Sequence, residues 1–149
     1  MSFWEDVRAY FESKCSPLEL GNTTYDIRHY FKFGIRAMSI RAIVEDHATK
    51  FRVEIFLAGQ KKRPDYSRNW IDHLKVNQDT IENAAGEPLI WNNPEQNVEM
   101  SVSYNSEKAD IDDPALRAEV IARIYDKVHR LDRAFRPHIE AFVETHGTL

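Results

Sequence analysis

Arg28, His29, Tyr30, Lys32 and Arg36 crowd one short stretch that also holds Phe31 and Phe33. Cations interleaved with rings suit an anionic strand. The cations meet phosphates, and Tyr30 or Phe31 stacks on a base. Lys61, Lys62 and Arg63 form a second basic run, and Arg123, Lys127 and Arg130 a third at helical spacing. The competing reading is a solvated face, since Glu119 and Asp126 flank the last run.

Other chemistries find weaker support. A restriction-type nuclease needs an acid-x-Lys triplet on a strand so that carboxylates hold Mg²⁺ beside a lysine. The only such triplet is Glu12-Ser13-Lys14, at the end of a helical pattern; Glu54 lies on a strand pattern but is followed by Ile55-Phe56. The six histidines, His29, His47, His73, His129, His138 and His146, form no ligand pair at close spacing and no cluster with Cys15. Cys15 falls at a helix C-terminus, where the dipole disfavours a thiolate. No Gly-rich phosphate loop and no G-x-S-x-G elbow occurs. These residues predict no catalytic set, no metal and no cofactor.

These residues must be carried by elements, and three stretches declare theirs. Met38 to Val44, Phe51 to Leu57 and Val98 to Tyr104 alternate apolar and polar residues. Alternation of that kind predicts strands with one apolar face. Tyr30 to Ile35 and Leu89 to Trp91 add shorter strands, and Asp46 to Lys50 reads as a hairpin loop. Helical spacing predicts helices over Ser2 to Lys14, with Ser2 as N-cap, and over about Asp65 to Ala84, with Gly86 as the C′ residue. Asn77 falls on the apolar stripe of the second. A last helix starts at Asp113-Pro114 and carries its stripe through Ile121, Val128, Phe135 and Phe142. Pro137 lies inside it and predicts a kink, and the tail after Glu144 is expected to fray. Asn92-Asn93-Pro94 reads as a turn and Asn105 to Asp112 as a polar loop.

The expected fold is α+β: a two-layer sandwich, an antiparallel sheet of about five strands with three helices on one face. Phe11, Trp70 and Phe135 are expected to roof the sheet. The 149 residues read as a single domain, 1–149. Hydrophobic residues at 42% and charged residues at 30% suit a globular chain, and a net charge of −4 argues against a large overall positive field. One cysteine, no apolar leader and no run of ~20 apolar residues point to a cytoplasmic, membrane-free protein.

Strand parity puts Ile43 and Phe56 opposite the core, among Arg41, Arg52, Glu54 and Glu99. Exposed apolar side chains on neighbouring strands suggest a surface for a protein partner or a homodimer. Cover by the N-terminal segment or a loop is the alternative.

The order of elements and several short motifs resemble the prokaryotic domain of unknown function numbered four-two-six-eight. They are Phe3-Trp4, Phe33-Gly34-Ile35, Arg52-Val53-Glu54-Ile55, Ile81-Glu82 with Gly86-Glu87-Pro88-Leu89-Ile90-Trp91, and Phe135-Arg136-Pro137-His138-Ile139. Some members of that family follow a restriction-endonuclease-like nuclease domain, so the resemblance implies a link to DNA processing or phage defence and supplies no catalytic residues. The leading expectation is a non-enzymatic protein-interaction module using Ile43, Phe56, Arg41 and Arg52. The alternative is an accessory nucleic-acid-binding domain using Arg28, Tyr30, Lys32, Arg36, Lys61, Lys62 and Arg63.

Overall fold

The computed structural model describes residues 3–18, 20–21, 28–92 and 99–149. Ser2, Tyr25, Asn93-Pro94 and Val98 lie outside the described residues, with the cap, turn and strand start expected there. The elements run α1 (Phe3–Ser13), β1 (Arg28–Lys32), β2 (Met38–Glu45), β3 (Lys50–Leu57), α2 (Pro64–Val76), α3 (Gln78–Ala85), β4 (Ile90–Asn92), β5 (Met100–Ser103), β6 (Glu107–Lys108) and α4 (Pro114–His146). The architecture is α+β: an open antiparallel sheet in the order β1-β2-β3-β5-β4, with β6 pairing the far end of β3.

Alternation with period 2 makes the central strands, and the register follows it. Ile40 faces Ile55, which faces Val102, and Ala42 faces Val53. All of these are fully buried, as are Phe11, Trp70 and Phe135 on the helices. Phe11 stacks on Phe31 at 4.7 Å between ring centroids. Burying each such aromatic side chain stabilises the fold by about 1.5–3 kcal/mol. The helices α1 to α4 all join this one interior, and α4 lies against β2 and β3.

The last helix starts as its residues dictate. Asp113 Oδ1 accepts a bond from Ala115 N–H at 2.9 Å, and Pro114 takes the first helical position. The helix runs unbroken through Pro137. Its end is anchored where fraying was expected: Tyr66 O–H donates to Gly147 O at 2.8 Å and Leu149 is buried. The second helical pattern divides at Asn77, so there are four helices rather than three among the described residues. Asn77 Nδ2 donates to His73 O at 3.2 Å, turning an amide on the apolar stripe into a helix stop. The expected polar loop from Asn105 holds β6 and the buried Ile111.

Gly86 ends α3 with φ +89°. A Cβ there would lie 2.8 Å from Arg130 Nη1, which can swing away, so the backbone conformation sets the cost. Gly86→Ala is expected to lower stability by about 1–2 kcal/mol, read as a shifted urea midpoint with an unchanged slope. An unshifted midpoint would mean that this helix end does not require the left-handed geometry.

Candidate functional site

The antiparallel register assembles the sheet's outer face row by row. Arg28 lies beside Ile43 and Ile43 beside Arg52. In the next row Tyr30, Arg41, Glu54, Ser103 and Ile90 follow one another. A third row holds Lys32, Ser39, Phe56, Ser101 and Asn92. Two groups of residues that were separate in the sequence therefore share one surface. Arg28, Tyr30 and Lys32 from β1 stand beside Arg41, Ile43, Arg52 and Phe56 from β2 and β3.

Ile43 and Phe56 depart from expectation. Each keeps only 8% of its surface in water, so neither is an exposed apolar contact. Parity placed them correctly outside the core cluster. What it could not show is the cover. The Arg41 guanidinium lies 3.7 Å from the centroid of the Phe56 ring. It is also 5.8 Å from that of Tyr30. Ile43 sits between two arginines, whose methylene stems suit an apolar neighbour.

Glu54 is the only acid in those three rows. Its carboxylate takes Arg41 Nη2 at 3.2 Å and Arg52 Nη2 at 3.4 Å, and its side chain is 2% exposed. One acid thus serves two guanidiniums. Arg28 and Lys32 add two further cations to these rows, and each has contacts of its own besides.

The remaining basic residues divide. Arg36 sits in the β1–β2 turn and Lys61, Lys62 and Arg63 in the β3–α2 loop, all exposed. Ala58 N–H donates to Ala37 O at 2.8 Å, which brings those two loops to the same end of the sheet. The third run does not join them. Arg123 pairs with Glu107 at 3.4 Å, Lys127 with Glu107 at 3.0 Å, and Arg130 with Asp126 at 3.0 Å. Those contacts tie α4 to β6 and to itself.

The Ile81-Glu82 and Gly86 to Trp91 motif serves the fold. Glu82 accepts bonds from Leu89 N–H at 2.6 Å, Trp91 Nε1–H at 3.4 Å and Gln78 Nε2–H at 3.2 Å. Burial alone would raise its pKa; the bonds from Leu89, Trp91 and Gln78 outweigh it and hold the carboxyl below its ordinary value. The carboxylate therefore locks the turn between α3 and β4.

Residues 1–139 match the model of the family described as Domain of unknown function (DUF4268). The chain belongs to this family. The match spans all of the outer rows and the Glu82 turn, and ends inside α4, beyond Pro137. No curated protein matches the chain. Among the described residues of this DUF4268 member, no helix is long and apolar enough to cross a membrane.

Sequence reasoning missed one constellation. Ser16 Oγ lies 2.8 Å from His129 Nε2, although 113 positions separate them. No local spacing signals such a pair; only the packing of α1 on α4 creates it.

Proposed function

We propose that this DUF4268 domain is a binding module whose outer sheet face, free of helices among the described residues, receives a single-stranded nucleic acid. The observation that supports it is the register, which aligns Arg28, Tyr30, Lys32, Arg41 and Arg52 across three strands. A sheet face with cations and a tyrosine matches what single strands need: phosphate neutralisation plus a ring to stack on. Arg36 and Lys61 to Arg63 extend the positive charge at one end. The reading as a protein-interaction surface loses its motive here, because Ile43 and Phe56 are covered.

Fluorescence anisotropy with labelled DNA and RNA oligonucleotides tests the proposal. Binding is expected at about 50 mM salt and is expected to weaken steeply toward about 200 mM. Tyr30→Ala is expected to weaken it by about tenfold. The double variant R28A/K32A should flatten the salt slope by about 0.7 for each phosphate it leaves unneutralised. Arg133→Ala, an exposed change on α4, should leave affinity unchanged. No binding at low salt, or equal losses from the α4 control, would overturn the assignment. A dimer in light scattering that the outer-face variants dissociate would favour the homodimer instead.

A further inference from the structure

We propose that Ser16 and His129 form a nucleophile and base that hydrolyse a small acyl ester, at a site using none of the outer-face residues. After α1 the chain reverses through Cys15, whose φ of +52° is a conformation that L residues rarely adopt. Ser16 N–H then donates to Phe11 O at 3.2 Å. This turn holds the Ser16 hydroxyl 2.8 Å from His129 Nε2 on α4.

The tautomer follows from the partners. His129 Nδ1 is 2.8 Å from Tyr125 O, one helical turn earlier. A carbonyl can only accept, so Nδ1 carries the proton and Nε2 presents its lone pair to Ser16. Ser16 Oγ already accepts Leu18 N–H at 3.2 Å, which leaves its own proton for Nε2. The imidazole is fixed in orientation, with Phe11 at 5.7 Å and Tyr125 at 4.1 Å between ring centroids. Nucleophile, base and orienting group are thus in place, with a carbonyl in the role that a carboxylate often takes.

A plain tether between α1 and α4 would not need space beside the hydroxyl. Here Ser16 lines a cavity of about 320 Å³ together with Arg8, Phe11, Glu12, Leu18 and Leu20. That volume accommodates a short acyl group. Phe11, Leu18 and Leu20 supply apolar wall for the acyl chain. Arg8, held by its Nη2 bond to Gly21 O at 2.9 Å, supplies positive charge on the same wall.

The step balances without a further reagent. Ser16 Oγ attacks the carbonyl carbon while its proton passes to His129 Nε2. The C–O bond to the leaving alcohol breaks, and His129 returns the proton to that oxygen. Water then attacks the acyl-serine, gives its proton to His129, and releases the carboxylic acid as Ser16 recovers its hydrogen. Arg8, on the same cavity wall, would offset part of the negative charge that grows on the carbonyl oxygen.

The test treats the full chain with an alkyl fluorophosphonate and maps the adduct by peptide mass. Ser16 is expected to carry it in the native protein and to lose it after heat unfolding. His129→Gln keeps an acceptor for the tether but cannot take a proton, so it is expected to slow labelling by about 100-fold and to flatten its pH profile. Hydrolysis of p-nitrophenyl butyrate should fall in parallel, and Ser16→Ala should abolish the enzyme-dependent part. Native protein without an adduct on Ser16, or labelling in His129→Gln at the native rate, would overturn the proposal. The first readout needs no variant, so a misfolded substitution cannot obscure it.

Discussion

Glu54→Ala is expected to cost the fold about 3 kcal/mol, because it leaves two guanidiniums on the sheet without their shared acid. The carboxylate is 2% exposed, and Arg41 beside it is 12% exposed. Removing one partner of a buried pair costs about 3–5 kcal/mol, and the lower end applies because Arg52 keeps 33% of its side chain in water and can turn outward. Arg41 has less freedom, packed over the Phe56 ring. Replacing both members has a different consequence. Glu54→Leu combined with Arg41→Leu is expected to recover most of the loss, since no buried charge remains unpaired there. Urea unfolding of Glu54→Leu, Arg41→Leu and the double variant measures the coupling directly. A cost below about 1 kcal/mol for Glu54→Ala would mean that the pair behaves as a surface salt bridge. The same variant bears on the proposed binding. Without Glu54 the face gains positive charge, so an anionic strand should bind more tightly even as the domain loses stability. Opposite movement of stability and affinity separates an electrostatic face from a merely damaged one.

The strands that carry this pair were legible because their signal is local. Alternation from Met38 to Val44 and from Phe51 to Leu57 states which residues share a face, and the register of β2 on β3 obeys it. Asp113-Pro114 and Gly86 were legible for a similar reason: each is a residue type answering a requirement of one backbone position. Asn77 was harder. Its place on the apolar stripe was evident, but whether a half-buried amide continues or ends a helix depends on the bond to His73 O. The candidate face was half legible. Parity put Ile43 and Phe56 on the outer side, whereas the burial of Phe56 depends on Arg41 of the neighbouring strand lying over its ring. Contacts between distant segments, Ser16 with His129 above all, leave no periodic trace for a single sequence to display.

Acidification from pH 7 to pH 4 is expected to remove about 3 kcal/mol of stability through His29 alone. The ring is fully buried, stacked on Trp4 at 5.6 Å and edge-on to Phe31 at 5.4 Å. Burial first, and the Arg8 charge second, pull its pKa from 6.5 to about 4. The folded protein therefore keeps His29 neutral where the unfolded chain would protonate it. A depressed histidine contributes stability in full above 6.5 and loses it as pH falls toward about 4, where the folded form also takes the proton. Between those limits the slope is about 1.4 kcal/mol per pH unit, so about 2 kcal/mol is gone by about pH 5. His138 adds a smaller loss of the same sign, since burial and then the neighbouring His73 lower its pKa too. Glu82, held below the ordinary carboxylate range, adds its own loss only at the acid end of this window and beyond it. Urea midpoints across that range for native protein, His29→Gln and His138→Gln separate the contributions. His29→Gln should flatten most of the slope above the carboxylate range, and His138→Gln little of it. A slope that survives His29→Gln would place the titrating group elsewhere and leave the buried ring without energetic consequence.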